Sequence, residues 1–381
     1  MIEPHGGVLV NRTVPESRLR SRVGDIDSLP RIQLDERLFQ DAMNVANGRY
    51  SPLEGFMSRD DFLKVVHDLT LEDGTVWSLP VVIDVDHEVA SELEPDEPAA
   101  LVDPSGEVMG TIAVDEVYKF NKAETAEAIF GTDDTDHPGV AGHLALDDFL
   151  VGGKVSVFEG YRYNDHDLQP KESRVLFREY GWERVVGFQT RNAPHRGHEY
   201  IQKCALERTD GILIQPKLGE KKSGDYQDSV ILDAYERLVE HYYPPHNVAL
   251  SVFPSRMRYA GPREAVFDAI VRKNQGCTHF IIGRDHAGVG DYYSPEAAHE
   301  IFDDIGDIGI TPMLFEHAFY CRACDGMCSR KICPHDDDER VYPSGSKIRR
   351  LIRNGEIPTD KIMRPEIAEF INESNSTFVE D

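Results

Sequence analysis

Arg184-Val185-Val186-Gly187-Phe188 is a short apolar run that stops at Gln189, and His198 to Glu207 behind it carries its apolar residues at helical spacing. The alternation then repeats. Gly211-Ile212-Leu213-Ile214-Gln215 precedes a helical pattern from Ser229 to His241. Val248-Ala249-Leu250-Ser251-Val252-Phe253 precedes one from Arg263 to Asn274, and Thr278-His279-Phe280-Ile281-Ile282-Gly283 follows. Strands apolar throughout, separated by amphipathic helices, predict an α/β fold with a doubly wound, Rossmann-like parallel sheet. Ligands of such sheets bind beyond the carboxyl ends of the strands. That rule singles out the segments after Phe188 and after Gly283.

Outward from this core the texture changes. Residues 1–168 carry short β-like runs: Ser78 to Val85, Ala99 to Val102, Val108 to Ile112 and Lys154 to Phe158. Turn residues such as Pro104-Ser105-Gly106 and Gly152-Gly153 punctuate them. One helix is expected from Ser58 to Leu69, where Ser58 caps and Asp60 and Asp61 follow. Asp165-His166-Asp167-Leu168-Gln169-Pro170 reads as a polar linker. The expected units are therefore a β-rich domain over 1–168, a catalytic domain over 169–318, and a small C-terminal domain over 319–381.

The first loop, Gln189-Thr190-Arg191-Asn192-Ala193-Pro194-His195-Arg196-Gly197-His198, follows a strand and opens a helix. A helix N-terminus presents free N–H groups and a positive dipole end, so it favours anions. His195 and His198 flank Gly197 and can turn toward one phosphate. Arg191 adds a planar fork of donors, while Gln189 and Asn192 add neutral ones. In the second loop, Gly283-Arg284-Asp285-His286-Ala287-Gly288-Val289-Gly290, three glycines let backbone fold around a small anion and Arg284 adds a second fixed charge.

The His-x-Gly-His core resembles the signature of the nucleotidylyltransferase superfamily. The longer Gln-Thr-Arg-Asn-x-Pro-His-x-x-His, with Ala193 inserted as in many prokaryotic members, resembles ATP sulfurylases, as does Gly-Arg-Asp-His-Ala-Gly. Met257-Arg258-Tyr259-Ala260-Gly261-Pro262-Arg263-Glu264-Ala265 and Pro52-Leu53-Glu54-Gly55-Phe56-Met57 are further similarities. Pro343-Ser344-Gly345-Ser346-Lys347-Ile348-Arg349 looks like the superfamily's phosphate-contacting element, and equally like an N-capped helix with Ser344 as cap. The resemblance implies a β-rich N-terminal domain of PUA-like type and a sulfate adenylyltransferase. Its partners would be ATP, sulfate, pyrophosphate and adenosine 5'-phosphosulfate, with Mg2+ on the nucleotide. It implies ATP contacts from Gln189, Thr190, Arg191, Asn192, Gly283, Arg284, Asp285, His286 and Ala318. It places Gln189, Arg191, Arg284 and the Ala287 N–H around sulfate, and catalysis on Thr190, Arg191, Asn192, His195 and His198.

Four of six cysteines crowd into Cys321-Arg322-Ala323-Cys324, Cys328 and Cys333-Pro334-His335. A Cys-x-x-Cys knuckle with further thiol and imidazole donors is the pattern of a structural zinc. The expected ligands are Cys321, Cys324, Cys333 and His335, with Cys328 spare. Some prokaryotic ATP sulfurylases resemble this in carrying zinc near the start of the C-terminal domain. Cys204 and Cys277 read as packed thiols.

The 381 residues hold 68 acidic and 41 basic side chains, a net charge of −27 that argues against a nucleic-acid binder. Acidity spread along the whole chain suggests a halophilic protein, soluble where salt screens its surface. No apolar run is long enough to cross a bilayer and the N-terminus has no secretory shape, so a cytoplasmic location is expected. No Gly-x-x-x-x-Gly-Lys-Ser loop is present, and no kinase module is expected. The alternatives are another nucleotidylyltransferase with this histidine motif and a non-catalytic binding protein. The residues leave open the oligomeric state, a homo-oligomer being allowed, and the physiological direction of the reaction.

Overall fold

The computed structural model describes every residue except Met1, Lys222, Asn375 and Asp381. At its centre is a five-stranded parallel sheet: β1 (Val185–Phe188), β2 (Gly211–Ile214), β3 (Val248–Leu250), β4 (His279–Gly283) and β5 (Thr311–Phe315). The spatial order is β3-β2-β1-β4-β5, with every neighbouring pair parallel. The direction of winding reverses between β1 and β4, so the carboxyl ends of these two strands diverge into a crevice. That is where both loaded loops emerge.

The helices between strands are α1 (Arg196–Leu206), α2 (Asp228–Tyr242), α3 (Pro262–Gln275) and α4 (Ala297–Asp304). One face of the sheet is covered by α1 and α2, with helices Gly345–Arg353 and Pro365–Glu373 completing that core through Ile348, Ile352, Ile367 and Ile371. The other face meets α3, which is buried along nearly its whole length. That second core is continuous with the N-terminal half: Phe267 packs edge-on against Tyr50 and Trp77 at ring distances of 5.0 and 5.7 Å. Burial on all sides is why α3 lacks a clean apolar stripe: its polar residues Glu264, Asp268, Arg272 and Asn274 are buried along with its apolar ones.

The N-terminal half is a mixed seven-stranded sheet built on Pro98–Val102, Val108–Lys119 and Phe149–Phe158. Several expected boundaries shift. Only Ile83–Val85 of the expected 78–85 strand is in a paired strand, because Pro80 interrupts the run and Trp77 and Leu79 turn inward instead. The 248–253 run divides into β3 and Phe253–Pro254, which pairs with Lys217–Leu218. The helix expected at Ser58 runs Arg59–Asp68, with the Ser58 side chain accepting from Asp61 N–H. The polar 165–170 segment is tied into the interior: the buried Asp167 carboxylate pairs with the Arg49 guanidinium. Cys277 is buried, as a packed thiol should be, whereas Cys204 is only half-buried.

Candidate active site

A cleft of about 490 Å³ opens over the carboxyl ends of β1 and β4. It is lined by Gln189, Thr190, Arg191, Asn192, His195 and His198 from the first loop. Gly283, Arg284, Asp285, His286 and Ala287 face them from the second, and Ala318 closes a third side. Two segments that begin 94 residues apart, at Gln189 and Gly283, thus share one cavity.

His195 is the N-cap of α1, its Nδ1 accepting from the His198 N–H at 3.2 Å. The two imidazoles stack at 3.7 Å between centroids. A side chain at position 197 would press on both His195 (3.0 Å) and Pro343 (3.1 Å), so glycine there lets two loops close on the helix start. Burial holds His195 down at about 4, and burial together with its neighbour His195 holds His198 well below the ordinary imidazole range. Both rings are therefore neutral in the ligand-free cleft at pH 7.

The second loop carries Asp285 and Ala287 at φ of 60° and 55°, a left-handed geometry that costs about 1–3 kcal/mol per non-glycine residue. At Gly288 a Cβ would lie 1.8 Å from Asp285 Oδ1, so any side chain there would displace the Asp285 carboxylate. The loop is fastened by Arg284 N–H to the Phe315 carbonyl (3.0 Å) and Asp285 N–H to the Pro295 carbonyl (2.9 Å). The Arg284 guanidinium, which the sequence assigns to an anion, rests on Glu296 at 3.0 Å. Arg191 lies on Tyr259, 5.4 Å over the ring and 3.3 Å from its hydroxyl.

Beneath the cleft one carboxylate ties the loops together. Asp268, fully buried in α3, accepts from Gln189 Nε2, and its Oδ2 stands 3.1 Å from His286 Nε2. Burial alone would raise this acid; Lys217 at 3.1 Å, the His286 contact and Arg272 overcome it and hold Asp268 ionised. Lys217 also bonds Glu264 at 2.7 Å, and Glu264 accepts from the Arg258 and Ala260 N–H groups. An ionised carboxylate accepts only, so Gln189 must present its amide nitrogen to it and retains one free N–H.

Sequence reasoning missed Asp268, Lys217 and Glu264. A lone acid inside Ala265-Val266-Phe267-Asp268-Ala269-Ile270-Val271 was the available signal: a charge in an apolar helix demands a partner. The Ser344 segment is an N-capped helix that also borders the cleft. Ser344 caps its helix by accepting from Lys347 N–H at 3.3 Å, and it also lines the cleft, while Arg349 of that helix donates to Asn192 Oδ1 at 2.5 Å.

The cysteine cluster forms a separate centre on a three-stranded sheet of Ala318–Cys321, Gly326–Ser329 and Arg340–Val341. The donor atoms of Cys321, Cys324, Cys333 and His335 all lie within 4.8 Å of one another. The Cys324–Cys333 sulfur distance is 3.8 Å, and His335 Nδ1 is 3.4 and 3.2 Å from Cys321 and Cys324. With Zn–S of about 2.3 Å and Zn–N of about 2.0 Å, the edges of a tetrahedral site are about 3.5–3.8 Å, which the Cys324–Cys333 and His335–Cys333 separations of 3.8 Å match and the other two His335 separations approach. Cys328 is buried beside them and is not one of the four.

An ATP-sulfurylase family model matches residues 164–374, and a PUA-like domain model matches residues 2–160. The chain belongs to the ATP-sulfurylase family. Among relatives, the sulfate adenylyltransferase of Staphylothermus marinus is 47% identical over 99% of both chains. That of Thermococcus onnurineus is also 47% identical over 99% of each, and that of Acaryochloris marina 46% over 96% of each. A solved structure titled hexameric APS kinase from Thiobacillus denitrificans superposes with a TM-score of 0.78 at 23% identity, covering 98% of this chain and 69% of that one. The last likeness is one of fold. No described helix is long and apolar enough to cross a membrane.

Proposed function

We propose that this chain is a sulfate adenylyltransferase, joining the AMP moiety of ATP to sulfate with release of pyrophosphate. The observation that carries the reading is the meeting of the two loops in one cleft, with Gln189 and His286 held on the same Asp268 carboxylate. In this reading the free Gln189 N–H, Arg191, Arg284 and the Ala287 N–H receive sulfate. Arg284 exchanges its Glu296 partner for the anion. Gly283, Arg284, Asp285, His286 and Ala318 border the adenylyl part, and Thr190, Asn192, His195 and His198 the departing phosphates. A sulfate oxygen attacks the α-phosphorus in line, and the bond from that phosphorus to the α,β-bridging oxygen breaks. The bonding pair leaves with pyrophosphate. Mg2+ bound to ATP supplies charge neutralisation on the phosphates.

Two anionic reactants must meet, so positioning and preorganised charge carry the acceleration rather than a covalent intermediate. The histidines are neutral when the site is empty, and an arriving polyphosphate draws protons onto them. They then donate to the leaving group where its charge develops. On the same basis we read Cys321, Cys324, Cys333 and His335 as ligands of a structural zinc that would brace the small sheet beside the cleft. We further read three units, 1–168, 169–318 and 319–381, in a halophilic cytoplasmic protein. The test is sulfate-dependent pyrophosphate release from ATP and magnesium. Release that ignores sulfate would transfer the assignment to a different nucleotidylyltransferase.

A further inference from the structure

The segment from Met257 to Gly261, which leads into α3, resembles the ATP sulfurylases yet supplies none of the residues assigned above to ATP or sulfate. It is fastened at nearly every residue. Arg258 Nη2 pairs at 2.7 Å with the buried Asp41 carboxylate of the N-terminal half, and the Tyr50 hydroxyl donates to the same oxygen at 3.1 Å. Ala260 N–H bonds Glu264 at 3.3 Å, and Gly261 N–H meets the Ala287 carbonyl of the second loop at 3.3 Å. The Tyr259 carbonyl accepts from the Tyr293 hydroxyl at 3.1 Å. Tyr259 itself is held at φ of 57°, a left-handed backbone that a bulky side chain rarely adopts. Such conformations persist where the surroundings over-determine them, and they gather at functional sites.

What this backbone achieves is the placing of one ring. The Arg191 guanidinium carbon stands 5.4 Å over the Tyr259 ring, and its Nη1 donates to the Tyr259 hydroxyl at 3.3 Å. The two arginines assigned to the anion are thus held by different chemistry. Arg284 leans on the Glu296 carboxylate at 3.0 Å and must give up that partner to take an anion. Arg191 has, among the described residues, no carboxylate at ion-pair distance. An aromatic face attracts a cation through its quadrupole while carrying no net charge. It therefore steadies the guanidinium and leaves its charge, with the N–H groups not on the hydroxyl, for an incoming anion. A carboxylate in the same place would hold the arginine and neutralise it.

We propose that Tyr259 is a positioning residue for the oxyanion: it holds Arg191 in the orientation that receives sulfate without spending that arginine's charge. The inference rests on the reading that Arg191 belongs to the sulfate pocket.

The experiment compares Tyr259→Leu and Tyr259→Phe in the intact chain. Tyr259→Leu removes ring and hydroxyl, and should raise KM for sulfate about tenfold while KM for ATP changes by less than about twofold. Tyr259→Phe keeps the ring and should recover most of that loss. In an Arg191→Ala background, Tyr259→Leu should have no further effect on kcat/KM for sulfate, because its action passes through the arginine. An equal rise in both KM values, or an undiminished effect without Arg191, assigns Tyr259 to the fold alone and overturns the proposal. If Tyr259→Leu does not fold, Tyr259→Phe decides: loss of the hydroxyl should raise KM for sulfate about threefold, and no rise refutes the role. A crystal structure of the variant separates this inference from the reading beneath it. The Arg191 guanidinium should leave its place, and an unmoved one refutes the positioning whatever the kinetics. A displaced guanidinium with KM for sulfate unchanged removes Arg191 from the sulfate pocket, and the proposal with it.

Discussion

The nucleotide cleft and the cysteine knuckle are held in opposite ways. The cleft rests on a large interior, where Asp268, Lys217, Glu264 and Arg272 form an ion network that is essentially inaccessible to water. The knuckle has only Phe319 and three of its own cysteines for a core, with Tyr342 against it. A site that must bind and release its ligands is shaped by protein groups alone, whereas a sheet too small to bury a core needs a resident ligand to fix it. The difference predicts that damage to the first should fall on catalysis or on the whole fold, and damage to the second on local order.

The largest effect is expected on the catalytic side. His198→Ala should lower kcat by about 10²–10³, the scale of removing one preorganised donor from developing charge. Its melting temperature should stay near that of the wild type, and turnover close to normal would remove the ring from the mechanism. Next comes the shared carboxylate. Asp268→Asn leaves Lys217 and Arg272 short of a counter-charge, for which breaking a buried pair predicts a loss of about 3–5 kcal/mol in chemical unfolding. Gln189 and His286 both reach Oδ2, while Lys217 and Arg272 face Oδ1, so an Asn must turn its NH2 either on the loops or on the two cations. Either way the support of both loops is disturbed, and KM should rise for sulfate and for ATP together. A change confined to one substrate would show that the two loops are positioned independently.

The knuckle should respond differently. Cys324→Ser should abolish about one bound zinc per chain, measured by elemental analysis, and lower the melting temperature while kcat changes much less. Protein purified without chelators and found free of zinc would contradict the ligand set. The smallest effect expected is on pH dependence. With His195 held at about 4 and His198 held well below the ordinary imidazole value of about 6.5, the unfolded chain binds more protons across this range. Stability of the ATP-free protein should therefore fall as pH drops from 6.5 toward 4. His143, also near 4, contributes with the same sign. Bound ATP should flatten that decline by raising the two cleft histidines, so identical pH slopes with and without ATP would count against their contact with phosphate.

The parallel sheet was legible because β1, β2 and β4 are apolar at nearly every position and end in polar loops at the reversal of winding. Residues of both loops could be named for the same reason: their chemistry is local in sequence. The supporting layer was not local. Asp268 meets Gln189 across 79 residues, and Arg258 meets Asp41 across 217, distances over which no spacing rule speaks. The N-terminal helices Glu36–Ala46 and Lys122–Phe130 were missed although their signals are local: Asp35 caps the first by accepting from Leu38 N–H, and Asn121 caps the second by accepting from Glu124 N–H. Asp167 looked like a linker acid, and only Arg49 makes it a buried one.

The central claim is that the cleft activates a small tetrahedral dianion against ATP, and an anion panel tests it most directly. ATP cleavage with magnesium should be negligible without added anion. It should proceed with sulfate and selenate, and run continuously to AMP with molybdate, whose adduct hydrolyses. Phosphate, which carries a hydroxyl where the arginines want acceptors, should be a poor substitute. Arg284→Lys, which keeps the charge and loses the planar fork, should weaken use of every anion far more than it weakens ATP binding. ATP cleavage that is indifferent to sulfate, selenate and molybdate alike would contradict the account.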